Sequence, residues 1–219
     1  VPVFHVGYIR KIQKILETVC HNCGKILVDN SNPGYAEAMR FRDGKRRFEA
    51  LHKLCKGKTL CEPNANDDGT LEKGQKASSH GGCGNTQPEI RKEGLKLIGT
   101  YKTAKIDEEE GTTDRNVEKR PITPQMALNI FKSITDEDLR ALGLNTQYAR
   151  PEWMIISVLP VPPPPVRPSV SVDGTGQGLR GEDDLTHKLG DIIRANANVK
   201  RCEQEGSPQH VVTEFEALL

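Results

Sequence analysis

Apolar residues first recur at helical spacing. Ile9, Ile12, Ile15, Leu16 and Val19 share one face of a predicted helix over residues 8–19 that leads into Cys20. Residues 30–34 are turn-rich. The stretch 35–54 reads as a second helical region, weakened by Gly44, with Phe48, Leu51 and Leu54 on one face. Lys45, Arg46 and Arg47 within it are most simply a solvated face. Residues 63–82 read as a polar loop. Around Lys92-Glu93-Gly94 the pattern becomes alternating, with Ile90 on one side and Leu95, Leu97, Gly99 and Tyr101 on the other, which predicts a hairpin over 89–102. The stretch 104–120 is acidic, polar and almost free of apolar residues, and reads as a mobile surface loop.

Helical spacing then returns. Thr123-Pro124 is a hydroxyl cap followed by proline at a first helical position, and Met126, Ile130 and Phe131 follow on one face. Thr135-Asp136-Glu137 starts another helix that stops at Gly143. A DNA-reading helix-turn-helix would want cations at the start of the second helix, and this start is acidic. The apolar, β-rich stretch 153–159 predicts a buried strand. The prolines of 160–168 fix φ and bias their predecessors away from helix, so this run is expected to be extended. Gly174, Gly176, Gly178 and Gly181 exclude a stable helix or central strand over 169–181. Leu185, Leu189, Ile192, Asn196 and Val199 step by heptad spacing. Glu205-Gly206-Ser207-Pro208 supplies a glycine stop, a serine cap and a proline first turn before Val211, Val212, Phe215, Leu218 and Leu219 resume the apolar face. The expected element is an antiparallel helical hairpin with its tip near Gly206, ending in mid-pattern. With the start at Val1, this suggests a piece of something longer. The mixture of short helices and small antiparallel strands is an α+β pattern.

Composition narrows the function classes. Of 219 residues, 35% are hydrophobic and 28% charged, and even with 20 glycines added the apolar share is low for a self-sufficient core, so packing against other chains is expected. The net charge of +1 provides no global field to draw nucleic acid, and any such binding must rest on local patches. No run of 18 apolar residues and no secretory signal is present, so no membrane partner is expected.

The cysteines carry the candidate chemistry. Cys20-His21-Asn22-Cys23-Gly24 is a knuckle in which two thiolates can grip one tetrahedral ion, and the glycine lets backbone amides turn toward the sulfurs. Two further ligands must come from Cys55, Cys61, Cys83 and His80. Cys55 lies on the apolar face near Leu51 and Leu54, as a buried thiol would. Cys61 lies past that helix in a loop, and Gly81-Gly82-Cys83-Gly84 is glycine-rich. The preferred set is Cys20, Cys23, Cys61 and Cys83, although irregular spacing does not by itself fix the fourth ligand. His21 is expected to be exposed rather than ligating, and Cys202 to be a remote free thiol. A redox CxxC would want a βαβ context, and a disulfide framework a secretory signal. Structural Zn2+ fits better, since four thiolates leave no open catalytic position.

Several stretches, in order, resemble a known family. They are Val3-Phe4-His5-Val6-Gly7-Tyr8, the Cys20–Cys23 knuckle, Gly81-Gly82-Cys83-Gly84-Asn85-Thr86-Gln87-Pro88, Arg150-Pro151-Glu152-Trp153-Met154, Leu159-Pro160-Val161-Pro162-Pro163-Pro164-Pro165-Val166-Arg167-Pro168, and Arg180-Gly181-Glu182-Asp183-Asp184-Leu185. Together they are similar to the amino-terminal clamp region of the largest subunit of multisubunit RNA polymerases, closest to eukaryotic polymerase II. The resemblance covers almost the whole chain and rests most specifically on the proline run. It implies a zinc-stapled clamp core with a hairpin over 1–102, then the acidic loop over 103–120. A helix pair, buried strand and polyproline stem follow over 121–168, a lid-like loop over 169–184 and the clamp coiled-coil hairpin over 185–219. It supports the four-cysteine zinc set and leaves Cys55 out.

The implied role is nuclear: holding template DNA and the RNA–DNA hybrid, separating the transcript at the lid, and docking initiation and elongation factors on the coiled coil. Other polymerase subunits, above all the second-largest, are the implied partners. Arg167 in the stem and Arg180 in the loop are the candidate phosphate contacts. Arg201, Glu203, Gln204, Glu205 and Gln209 at the hairpin tip form the candidate partner surface, with Asn196 at a seam position suited to register control. Two features depart from the family. Its earlier zinc motif, upstream of the opening segment, is absent. So is the Asp-Phe-Asp-Gly-Asp loop that holds Mg2+ in the full nucleotidyltransferase, so the chain carries no catalytic residue and is expected to be inactive alone. Without the resemblance, the glycine loop reads as a linker, the proline run as an SH3- or WW-type ligand and the helices as a packing hairpin. The whole then reads as a stand-alone zinc-containing protein-interaction module. A zinc hydrolase would need an open metal position and a base.

Overall fold

The computed structural model of the chain describes residues 1–63, 81–106, 113–176 and 178–219, with backbone only at 103–106 and 113–116. It divides into two compact units, Phe4–Ile156 and Val1–Val3 with Ser157–Leu219. A two-residue strand, β1 (Val3–Phe4), opens the chain.

The larger unit is built on α1 (Ile9–Leu16), whose Ile9, Ile12, Ile15 and Leu16 are buried as their spacing predicts. The expected second helix is two: α2 (Pro33–Met39), capped by Asn32, and α3 (Gly44–Cys55), capped by Asp43. Each cap accepts a backbone N–H, from Gly34 at 2.9 Å and from Lys45 at 3.2 Å. A short polar side chain that bonds the backbone locally starts a helix better than it continues one, and Asp43 therefore breaks the run.

The predicted hairpin is present as β2 (Glu89–Glu93) and β3 (Lys96–Ile106), turning at Gly94-Leu95 with Gly94 at φ 59°. A third antiparallel strand, β4 (Thr113–Ile122), pairs with β3 from Leu97↔Ile122 to Ile106↔Thr113. Residues 103–106 and 113–120 are therefore strand rather than loop. Their ladder is made by main-chain groups, and no apolar alternation announced it. Residues 107–112 lie outside the described residues, as does most of the predicted polar loop.

Thr123 and Thr135 cap α4 (Pro124–Ser133) and α5 (Asp136–Ala141), as expected. Ala127, Ile130 and Phe131 face the core, but Met126 is exposed. The stretch 153–159 is not a buried strand. Pro151–Met154 is a 3-10 turn, only Ile155–Ile156 (β5) is extended, and Trp153 and Val158 are 58% and 83% exposed. Arg150 favours the turn by reaching Glu152 at 2.8 Å and Asp136 at 3.1 Å.

In the smaller unit the proline run is not extended throughout. Val166 and Arg167 donate N–H bonds to the carbonyls of Pro163 and Pro164, at 3.0 and 3.1 Å, which curls its second half. The glycine loop is a small hairpin between β6 (Val170–Ser171) and β7 (Arg180–Gly181). The final helices are α6 (Asp184–Gln204) and α7 (Gln209–Leu218). The bend between them has Gly206 at φ 66°, with Ser207 N–H bonded to Cys202 O at 3.0 Å and Gly206 N–H to Glu203 O at 3.4 Å. Pro208, not Ser207, holds the cap position of α7. Cys202 is buried with Val199 and Val212 against Val211 and Phe215. Leu185, at the far end of the predicted seam, is 47% exposed, and Asn196 accepts from the Val1 amino group at 3.1 Å. Among the described residues no helix is long and apolar enough to cross a membrane.

One half-buried cation in the larger unit makes stability pH-dependent. Lys11 Nζ lies 3.1 Å from the Phe48 ring centroid. Burial, and then the neighbouring Lys14 charge, lower its pKa from 10.5 to about 8, with Glu49 opposing. Between those values the unfolded chain holds a proton that the folded chain lacks, so this group makes stability rise with pH across the window. Lys11→Met is expected to flatten that rise in urea titrations run from pH 8 to 10. Parallel curves for parent and variant would show the proton balance to be wrong.

Candidate metal centre

Two chain segments converge at the site. The knuckle follows α1: Val19 bridges Ile26, Cys20 N–H donates to Lys25 O at 2.8 Å, and Gly24 N–H returns to Cys20 O at 3.0 Å. Gly24 sits at φ 74°, where a Cβ would lie 2.6 Å from the Ser133 carbonyl oxygen, so the residue after the knuckle has to be glycine. The second segment follows α3. Leu60 bridges Thr86, Cys61 N–H donates to Asn85 O at 3.0 Å, and Gly84 N–H donates to Cys61 O at 2.9 Å. Lys25 Nζ donates to Gly81 O at 2.9 Å and fastens one segment to the other.

These turns bring Cys20, Cys23, Cys61 and Cys83 together, with all four sulfurs within 4.8 Å of one another. Cys20 and Cys83 sulfurs are 3.5 Å apart, and Cys23 and Cys61 sulfurs 3.8 Å. Tetrahedral zinc with Zn–S bonds of about 2.3 Å needs sulfurs about 3.8 Å apart. The set preferred from the sequence is therefore the set that could hold an ion. Cys55 is fully buried away from it, and burial pushes its thiol up to about 12. His80 lies outside the described residues. His21 is not exposed as expected: its Nε2 donates to Leu16 O at 3.0 Å, and burial lowers its pKa against the opposing effect of that bond, which favours the neutral ring.

Burial and hydrogen bonding act in opposite directions on these thiols. Burial pushes the Cys20 and Cys61 thiols up, an unfavourable setting for isolated negative charge that a bound cation would relieve. At Cys83 the slight burial also raises the pKa, but the backbone and side-chain N–H groups of Asn85 outweigh it and hold the thiol at about 6. Gln87 Nε2 donates to Cys20 Sγ at 3.2 Å, Asn85 Nδ2 to Cys83 Sγ at 3.2 Å, and Asn22 N–H to Cys20 Sγ at 3.4 Å. Gln87 Oε1 also accepts from His21 N–H at 2.9 Å, so one buried amide ties both segments to the sulfur cluster. The sequence does not announce this role for Asn85 and Gln87, because two polar residues after a cysteine carry no spacing rule. Gln87→Ala is expected to weaken metal affinity about 10–100-fold. Competition with a chromogenic chelator reads this directly, and an unchanged affinity would remove Gln87 from the site.

The candidate nucleic-acid and partner residues all lie in the smaller unit. Arg180 is exposed at the start of β7. The Arg167 guanidinium is engaged internally, donating to Pro162 O at 2.8 Å and Thr186 Oγ1 at 3.4 Å. Arg201, Glu203, Gln204, Glu205 and Gln209 are all exposed around the bend after α6.

A four-sulfur shell, held by two turns and ringed by N–H donors, could hold one metal ion and would leave it no open position, the arrangement of a structural rather than a catalytic site. The sequence matches the family described as RNA polymerase Rpb1, domain 1, over residues 1–219, and the chain belongs to that family. It is thus part of the largest subunit of a DNA-directed RNA polymerase, a transcription protein whose partners are other polymerase subunits and nucleic acid.

Proposed function

We propose that the chain is the clamp segment of the RNA polymerase II largest subunit, acting in the nucleus. In this reading Zn2+ on Cys20, Cys23, Cys61 and Cys83 makes the larger unit rigid, the β6–β7 loop acts as the lid, and the α6–α7 hairpin docks initiation and elongation factors. The observation that carries it is the closed sulfur shell inside a chain that the polymerase family spans from end to end. A closed shell does no chemistry but fixes a frame. Holding template and hybrid and parting the transcript are tasks for a frame with projecting loops. Mg2+ and the nucleotidyl transfer belong to the full enzyme.

The β6–β7 loop projects Arg180 as a cation free to meet a phosphate at the upstream end of the hybrid, where it would position the strand without reading sequence. Arg167 holds the curled stem to the first turn of α6 and contributes to a phosphate contact from behind. The tip residues mix Arg201 with Glu203 and Glu205, a charge pattern a protein partner can complement. In polymerase assembled with the double variant Arg201→Glu and Glu205→Lys, factor affinity is expected to fall about tenfold while nucleotide addition on a preformed scaffold is unchanged. Unchanged factor binding would count against the docking role.

A further inference from the structure

Five of the eight residues 40–47 are cationic: Arg40, Arg42, Lys45, Arg46 and Arg47, against Asp43 alone. Asp43 is already occupied, since its side chain accepts the Lys45 N–H at the start of α3. Arg47 donates to Arg42 O at 3.3 Å and to Arg140 O at 3.2 Å, and so brings a sixth cation, from the end of α5, to the same place. Arg42, Gly44, Arg47, Arg140 and Asn145 line a shallow depression of about 350 Å³ there. Arg40, Arg42, Lys45, Arg46 and Arg140 are exposed, and none forms an ion pair among the described residues. Phe41 stands between Arg40 and Arg42 with 43% of its surface exposed.

A solvated helix face normally mixes both signs. In a chain of net charge +1, this concentration of unpaired cations is a local field of one sign. We infer that it is a binding surface for a single-stranded nucleic acid, with the arginines on the phosphodiester backbone and Phe41 stacked on a base. The aromatic ring distinguishes this ligand from an acidic peptide or a duplex, neither of which offers an open base face. The contacts invoked go to phosphates and to a base face, neither of which carries sequence information, so binding is expected to be independent of sequence. The surface is built from residues of the larger unit, whereas Arg167 and Arg180 belong to the smaller.

The test is fluorescence anisotropy of the metal-loaded 219-residue chain with labelled single-stranded RNA, single-stranded DNA and duplex DNA, across a salt series. Four exposed phosphate contacts on a single strand should give a slope of log K against log salt of about −3. The triple variant Arg40→Glu, Arg42→Glu, Arg46→Glu should weaken binding at least about tenfold and flatten the slope by about 2. An equal charge change on the β2–β4 sheet, Lys92→Glu, Lys96→Glu, Lys119→Glu, should change affinity less than about threefold. Phe41→Ala should weaken single strands and leave duplex unchanged. If the charge reversals disturb the far-UV spectrum, the Arg→Gln set at the same three positions gives the same reading with a smaller loss. Four results overturn the inference: no single-strand binding by the parent; equal losses in both triple variants; a Phe41→Ala chain that binds single strands as the parent does; or displacement by polyglutamate as readily as by oligonucleotide.

Discussion

Replacing Cys61 by serine is expected to abolish stoichiometric metal binding and unfold the larger unit under conditions where the parent is stable. Cys61 is the fully buried member of the second segment, and its sulfur lies 3.8 Å from that of Cys23. Serine cannot supply a thiolate, and the remaining three sulfurs leave an ion with an open position in a pocket that burial makes hostile to bare charge. Apparent binding free energies for structural zinc are about 10–16 kcal/mol, comparable with the whole stability of a typical domain of about 5–15 kcal/mol. Losing even part of that is enough to unfold a unit whose two turns are otherwise joined by a few hydrogen bonds. Cys55→Ser is the matched control. It places a hydroxyl in the core at a cost of about 1–3 kcal/mol but should leave the metal count at one per chain. Metal content by atomic emission and urea midpoints separate the two variants. If Cys61→Ser retains one tightly bound ion, the four-sulfur site is not the staple.

The convergence of the four cysteines was legible because its chemistry is local and typed. A CxxC turn followed by glycine has few other uses, and the glycine-flanked Cys83 announced the second turn. The bridging amide of Gln87 was not legible, since nothing in its sequence position says that its two ends will meet Cys20 and His21. The same contrast runs through the fold. Thr123 and Thr135 marked helix starts correctly, because capping depends on the next three residues only. The pairing of β4 with β3 was missed because a ladder made by polar residues has no apolar period to detect. Residues 153–159 were misread for the opposite reason. Trp153 and Val158 are apolar yet exposed, and composition cannot tell a core strand from a surface left for a partner. That exposure agrees with a chain whose low apolar share already pointed to packing against other subunits.

Gly143→Ala is expected to destabilise the larger unit by about 3 kcal/mol or more, through a contact no sequence rule anticipates. Gly143 ends α5 at φ 73°, where any side chain costs about 1–2 kcal/mol. Its added Cβ would also lie 2.5 Å from Gly44 O and 2.6 Å from Gly44 Cα, distances that only a backbone shift can relieve. Gly44 is the reciprocal case. It sits in the first turn of α3, where alanine favours the helix by about 1 kcal/mol, yet its Cβ would lie 2.5 Å from Gly143 O. Steric contact should override propensity, and Gly44→Ala should destabilise too. Gly57→Ala calibrates the conformational part alone, since Gly57 has φ 91° and nothing within 4 Å of its added Cβ. The expected order of loss in urea unfolding of the metal-loaded chain is Gly143→Ala largest, with Gly57→Ala limited to about 1–2 kcal/mol. A stabilised Gly44→Ala would mean that the two backbones do not touch. The glycine pair would then no longer explain why α3 starts where it does, or how Arg47 reaches the carbonyl of Arg140.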